Sequence, residues 1–452
     1  MVIKVEIPIS SRELNMLFKR DLKEERIIKQ IVTDSREATY DSLFIALDGI
    51  KANGDEYLNE AKSRGALTLS QRRSDSDYVV QSVECALLEI AAHYKEKLTM
   101  LRETIAITGS VGKTTTKNIL GKMLSSKYKT HITKKNYNNF LGCALTVLTA
   151  PKDTEILVIE AGMNHKGELS RISRAISPTI SLITNIGTAH IGNLGSREEI
   201  ASAKLEILDG MKKGYTLIPY GEKLLTKANN TYTFSVNEID ADVCIKPRSV
   251  TKQGTLFDIY TANYSIYEIK TNLIGEHILN SISASTAAAN LILKDRESLL
   301  TSINYIDQAE TRGDLREING LFFIDDTYSS SPEAVIAMIK RLSLYSGVKS
   351  AVIGDMNELG DKTAPLHEMI GKMIAESGLK KLYAFGIYAN HLARGAIMGG
   401  MNKNQIFIND DLSNYKKTAE DILSNSKKGE IILVKASHKV NAKRIIDYIE
   451  NK

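Results

Sequence analysis

Short apolar runs alternate along the chain with longer stretches whose apolar positions recur every third or fourth residue, the rhythm of strands joined by amphipathic helices. In residues 1–82, ERIIKQIVTDSR and SLFIALDG predict strands, and DEYLNEAKSRGALTLS a helix and a further strand, together a small α/β unit. CALLEIAAHYKEKL then predicts an amphipathic helix leading into the strand TIAIT at 104–108 and opening a second unit, 83–306. There EILVIEAG (155–162) and TISLITNIG (179–187) alternate with helical patterns such as SREEIASAKLEILDGM, as in a parallel sheet with crossover helices. From 307 to 452, GLFFIDDT, KSAVIGDM, KKLYAFG, NQIFIND and EIILVKAS predict five strands separated by helix-length segments. This is a second doubly wound unit, whose ligands are to be sought at the strand ends. The expected fold is α/β in three domains.

A chain of 452 residues suits this count at roughly 150 residues per domain. Hydrophobic residues at 43% and charged residues at 25% exclude a disordered or fibrous chain. A net charge of +5, with basic residues scattered among acidic ones, argues against nucleic acid as partner, as does the absence of Trp. Cys85, Cys143 and Cys244 lie far apart with no CxxC pair, which suits a reducing compartment and disfavours structural zinc. No run approaches the roughly 20 apolar residues of a membrane span, and polar residues interrupt the start before a secretory core can form. A cytoplasmic protein is expected.

The most informative stretch is Thr108-Gly109-Ser110-Val111-Gly112-Lys113-Thr114-Thr115, directly after TIAIT and before the helical TKNILGKML. The usual phosphate loop reads GxxxxGK[ST], and here only two residues separate Gly109 from Gly112. The chemistry survives the shortening. Glycines let backbone amides close around phosphate oxygens, a helix start supplies positive potential, and Lys113 can neutralise phosphate charge while Thr114 holds Mg²⁺. A glycine turn of this kind also occurs as plain structure, but GKTTT in a strand-to-helix context points to a nucleotide. The central domain is therefore expected to be of the phosphate-loop mononucleotide-binding type and the C-terminal one Rossmann-like.

A Mg-nucleotide site needs carboxylates near strand ends, and Glu160 ends LVIEAG, where a parallel sheet would bring it beside the loop. His190 follows the next strand and Lys204 lies on the helix beyond, though a lone His or Lys is usually solvated or at a core edge. Asn280, in GEHILN, has an amide suited to a nucleotide base, but Asn near a helix start is more often a cap. Arg312 precedes a strand ending in Asp325-Asp326-Thr327-Tyr328, and such paired acids mark either a ligand site or a turn.

TGSVGKTTTK, NYNNFLG, IEAGMNHKGEL, ITNIGTAHIGNLGSREEIASAKLEI, GEHILN, DDTYSSSPEA and IGDMNELG occur in an order that strongly resembles the Mur ligase family, across all three regions. TDSREATYDSLFIALDGIKANGDEYLNEAKSRGA resembles the UDP-substrate-binding N-terminal domain shared by the tripeptide-forming and the D-Ala-D-Ala-adding members, and NYNN followed by GDMNELG is most similar to the latter, which add D-Ala-D-Ala to UDP-MurNAc-tripeptide. The resemblance implies an ADP-forming ligase of peptidoglycan-precursor synthesis in which the tripeptide carboxylate is phosphorylated by ATP and an amine displaces phosphate. It further implies that Thr108 to Thr115 with Asn280, Arg312 and Asp326 bind ATP, and that Thr114 and Glu160 hold one Mg²⁺. His190 and a carbamylated Lys204 would serve a second, because a protonated lysine cannot ligate a cation. Asp34, Ser35 and Arg36 would meet the uridine diphosphate, and Asn138, Asn139 and Tyr328 the remaining substrate parts. The implied partners are these small molecules, for a monomeric chain with no nucleic acid and no membrane span.

The chain departs from the family pattern at Ser329-Ser330-Ser331, where two amide side chains of DDSYNANP become hydroxyls, at LIPYGE, and at VKASHKVN in place of VKGSR. Two other readings fit the nucleotide residues: an amide ligase for a different amine or carboxylate, as in pseudomurein or cofactor synthesis, and a nucleotide-binding homologue without turnover.

Overall fold

The computed structural model of the protein describes residues 1–49, 53–226, 228, 230–309, 313 and 315–452. Three sheets follow one another along the chain. The first runs in the order Val2–Ser10, Ile27–Val32, Ser42–Ile45, Leu67–Ser70, Tyr78–Val79, antiparallel at the first pair and parallel thereafter. Its opening strand was not legible because Lys4 and Glu6 break the apolar run; the strand alternates exposed and buried positions, as one face of an edge strand must. The short helix Ser11–Phe18 follows, started by a capping box in which Ser10 and Glu13 satisfy each other's backbone amides.

The central sheet has nine strands. Glu103–Thr108 lies in its interior between Ile156–Glu160 and Ile180–Ile183, all parallel. The expected parallel strands are present, and the sheet also carries an antiparallel edge that the pattern did not show. Val243–Thr251, Gly254–Thr261 and Ser265–Thr271 extend one edge as an antiparallel meander. Lys252-Gln253 and Ala262-Asn263-Tyr264 make the tight turns that an antiparallel pair needs in place of a crossover helix.

The third sheet has six strands, ordered Leu315–Ile318, Leu321–Asp326, Ile431–Lys435, Lys349–Gly354, Lys381–Phe385, Ile406–Asn409. The five expected strands are present and parallel, and Leu315–Ile318 adds an antiparallel edge.

Packing converges on the start of the helix Lys113–Ser125. The helix Glu276–Leu293 lies against it through a face of buried small residues, Ser281, Ala284, Ser285 and Ala288 among them. Ser285 Oγ donates to Thr116 O at 3.1 Å. A Cβ added at Gly112 would already stand 3.3 Å from Ser281 Oγ, so bulky side chains on this face would push the glycine loop away. The N-terminal unit is joined to the central one by Val83–Glu96, which packs on Phe140–Leu148, with buried Tyr94 donating to Ala150 O at 2.8 Å. No helix among the described residues is long and apolar enough to cross a membrane.

Candidate active site

Backbone register places the first two components. Thr108 ends the strand that opens the glycine loop, and Ile107 pairs with Glu160 on the neighbouring strand, so the carboxylate stands beside the loop although 46 residues separate it from Thr114. Gly109 and Gly112 have φ of 145° and 84°, left-handed values that glycine alone adopts cheaply. A Cβ on Gly109 would collide with Thr184 Oγ1. Gly112 is the N-cap of Lys113–Ser125 and brings no capping side chain, which leaves the first helical amides for an anion. The Ser110 and Val111 amides are already engaged, Asn185 Oδ1 accepting from them at 3.1 Å and 3.0 Å, while Thr184 Oγ1 donates to Val111 O at 2.6 Å and Gly187 N donates to Ser110 Oγ at 2.9 Å. The segment after the third parallel strand thus holds the loop open from behind. Lys113 folds back, donating to Gly109 O at 2.6 Å, and Thr115 lines the adjoining cleft.

Glu160 is 1% exposed. Its Oε1 accepts from Thr114 Oγ1 at 3.1 Å and from Asn138 Nδ2 at 2.9 Å. Oε2 has no hydrogen-bond partner among the described residues and lies 3.7 Å from Nζ of Lys117, which is equally buried. Lys117 in turn donates to Thr133 O at 2.7 Å and Lys135 O at 2.8 Å, tying down the segment that carries Asn138. A hydroxyl and a carboxylate in contact, with one carboxylate oxygen lacking a donor, form a hard-oxygen pair that fits Mg²⁺. Among the described residues no three or more His, Cys, Asp or Glu side chains gather into a metal cluster.

Lys204 is buried and has no hydrogen bond or ion pair to an acid among the described residues. Burial, and then the nearby Lys113 charge, push its ammonium well below the usual lysine value, disfavouring the charged form. His190, at φ 66°, places Nδ1 2.5 Å from Glu358 Oε2 of the C-terminal domain, and this contact holds the Glu358 carboxyl below its ordinary value against the opposing effect of burial.

Asn139 caps the helix Phe140–Leu148, Oδ1 accepting from Gly142 N at 2.9 Å, so its side chain is committed to structure while Asn138 points into the site. Asn280 is exposed in the second turn of Glu276–Leu293, whose N-cap is Gly275; the capping alternative is therefore set aside. Asp326 pairs with Lys435 at 2.6 Å across adjacent strands. Tyr328 meets His438 with the rings tilted and their centroids 5.5 Å apart, and bonds Asn136 of the central domain. Arg312 lies outside the described residues. Asp34 caps a short turn and pairs with exposed Arg36 at 2.7 Å, while Ser35 Oγ donates to Glu60 at 2.6 Å; all three belong to the N-terminal unit.

A cleft of about 600 Å³ opens between the central and C-terminal domains, lined by Thr114, Thr115, Asn118, Asp326, Tyr328 and His438 among others. Beside it, Glu333 accepts from Thr188 N and Oγ1, and Gly192 N donates to Glu358 O at 2.9 Å. Lys117, Asn185, Glu333 and Glu358 were not singled out in the sequence. Lys117 alone left a local signal, one helical turn beyond Lys113 on the same face.

Fold and site together define a phosphate-loop α/β protein with a second doubly wound domain set against the loop. Residues 107–289 match the model of the Mur ligase middle domain and residues 311–438 that of the Mur ligase glutamate ligase domain. The chain is 33% identical to the UDP-N-acetylmuramoyl-tripeptide--D-alanyl-D-alanine ligase of Bacillus subtilis (strain 168), with 95% of this chain and 94% of the relative covered. Among solved structures it is similar to MurF from Acinetobacter baumannii, with a TM-score of 0.88, 28% identity and 100% of both chains covered. It is also similar to MurF ligase from Thermotoga maritima in complex with ADP, with a TM-score of 0.78, 28% identity and 93% and 97% of the two chains covered. The chain belongs to the Mur ligase family.

Proposed function

We propose that the protein is an ATP-dependent, ADP-forming amide ligase that adds D-Ala-D-Ala to UDP-MurNAc-tripeptide, a cytoplasmic step in peptidoglycan-precursor synthesis. The observation that carries the substrate assignment is the likeness over 95% of the chain to a Bacillus subtilis enzyme named for that reaction. The chemistry is supported by Lys113, Thr114 and Glu160 gathered at an uncapped helix start.

Carboxylates are poor electrophiles. Attack of the tripeptide carboxylate on the γ-phosphate of ATP gives an acyl phosphate, and the incoming amine then displaces phosphate through a tetrahedral intermediate. Thr108 to Thr115 form the anion cradle, and Lys113 exchanges the Gly109 carbonyl for phosphate oxygens. Thr114 and Glu160 would hold magnesium, which when bound offsets phosphate charge. His190 and Lys204 are proposed for a second ion, with Lys204 carbamylated: a neutral buried amine is the form that reacts with carbon dioxide, and the product is an anionic oxygen ligand. Asn280, Arg312 and Asp326 are assigned to the nucleotide, with Asp326 released from or shared with Lys435. Asp34, Ser35 and Arg36 are assigned to the uridine diphosphate, and Asn138 and Tyr328 to the peptidyl and amine ends. Division at 82/83 and 306/307 into three domains of a monomer completes the proposal.

Phosphate release with Mg-ATP, tripeptides bearing either meso-diaminopimelate or lysine, and D-Ala-D-Ala, with each component omitted in turn, tests the reading. A pentapeptide that requires every component supports it. Phosphate release independent of the amine, or no product with either tripeptide, overturns it.

A further inference from the structure

Glu333 is the second residue of the helix Pro332–Ser343, which Ser331 caps, so its carboxylate sits at the positive end of a helix. It reaches across the domain boundary. Oε1 accepts from Thr188 N at 2.8 Å and from Thr188 Oγ1 at 2.9 Å, while Oε2 is buried with no hydrogen-bond partner among the described residues. The phosphate loop is its immediate neighbour: a Cβ added at Gly187 would stand 3.0 Å from Glu333 Oε1 and 3.2 Å from Ser110 Cβ. One carboxylate oxygen is therefore fixed by two donors next to Gly187, and the other, buried on the same carboxylate, has none among the described residues.

A buried carboxylate oxygen lacking a donor is costly. Such a group is accounted for when its donor arrives with a substrate. In the reaction proposed above the amine arrives as an ammonium ion, which has no lone pair with which to attack. We infer that Glu333 Oε2 receives this ammonium and takes its proton. One proton moves from nitrogen to Oε2, the freed lone pair forms the C–N bond at the acyl phosphate carbon, and as the C–O bond to phosphate breaks a second nitrogen proton passes to the departing oxygen, so that inorganic phosphate leaves as hydrogen phosphate. Glu333 afterwards returns the proton to water. Placed on the C-terminal domain but anchored to the central one, Glu333 delivers the amine only where the two domains meet. This inference rests on the ligase reading and adds to it the group that activates the nucleophile.

The test separates amine activation from domain docking. Glu333→Gln keeps an acceptor for Thr188 but removes the base. Hydroxylamine, uncharged at pH 8, intercepts an acyl phosphate without help from a base. Glu333→Gln is expected to lose about 100-fold or more in amide formation with D-Ala-D-Ala. Its ATP-dependent hydroxamate formation from the tripeptide is expected to match that of the parent. Equal losses in both reactions would make Glu333 a domain latch and overturn the inference, as would no loss in either. If the parent forms hydroxamate but no amide with D-Ala-D-Ala, the amine of the ligase reading is wrong, and the same comparison is made with the amine the parent accepts. A parent that forms neither product removes both proposals.

Discussion

Replacing Lys117 by Met tests how the Glu160 carboxylate is held. The Lys117 ammonium is 1% exposed, donates to two backbone carbonyls at 2.7 and 2.8 Å, and lies 3.7 Å from Glu160 Oε2. At that separation two unit charges attract by about 4 kcal/mol at the effective dielectric that suits protein sites. Methionine fills much of the same volume but leaves the carboxylate unpaired and the Thr133 and Lys135 carbonyls without their donor. Removing one partner of a buried pair costs about 3–5 kcal/mol, with the orphaned carbonyls contained within that figure rather than added to it. The chain has no Trp, so urea unfolding followed by far-ultraviolet circular dichroism is the suitable assay. Hydrogen exchange over 103–160 would locate the loss. Adding Glu160→Gln removes the unpaired charge, so the double variant is expected to recover about 2 kcal/mol relative to Lys117→Met alone. A Lys117→Met protein within 1 kcal/mol of the parent, or single-variant losses that simply add, would refute the reasoning.

Asn185→Ala removes the side-chain acceptor of Val111 N, a bond worth about 1 kcal/mol, and leaves Ser110 N only the Asn185 carbonyl at 3.2 Å; it is expected to weaken Mg-ADP binding roughly tenfold by calorimetry, with the melting temperature little changed. Gly192→Ala would set a Cβ against Glu358 O and the Gly360 backbone, so the C-terminal domain must back away. Small-angle scattering of this variant with ATP analogue should show a larger radius of gyration than the parent, and turnover should fall about tenfold or more. Burial, with the Arg341 charge adding to it, pushes His277 down to about 4 in the folded protein, whereas an unfolded histidine titrates near 6.5. Between these values the unfolded state binds more protons, so stability should fall as pH drops from about 6.5 towards 4. His277→Asn should flatten that part of the stability profile.

What was legible depended on distance along the chain. The glycine loop is contiguous, and TIAIT before it and TKNILGKML after it made its context plain; Glu160 followed from strand order alone, because the residue ending a neighbouring parallel strand must lie near the loop. The α/β architecture was equally plain from alternation. The antiparallel edge 243–271 was not, since a meander leaves no crossover helices to mark its strands. Asn138 and Asn139 are adjacent and identical in type, yet one faces Glu160 and the other caps a helix, a distinction set by backbone geometry. Glu333 meets Thr188 across 145 residues, Asp326 meets Lys435 across 109, and Asn185 meets Ser110 across 75. Such pairs form only when sheets and domains assemble, and no local pattern announces them. By its local pattern alone Lys204 reads as an ordinary helical lysine, and its special role rested on the family resemblance; its burial and the Lys113 charge, which lower its ammonium's hold on the proton, come from tertiary packing.

The most direct test of the central claim follows the oxygen of the substrate carboxylate. Tripeptide labelled with ¹⁸O in that carboxylate is incubated with protein, Mg-ATP and D-Ala-D-Ala, and phosphate and peptide are analysed by mass spectrometry. Activation through an acyl phosphate predicts one ¹⁸O atom in each phosphate released, in equal amount with pentapeptide. Unlabelled phosphate, or phosphate formed without pentapeptide, would contradict it.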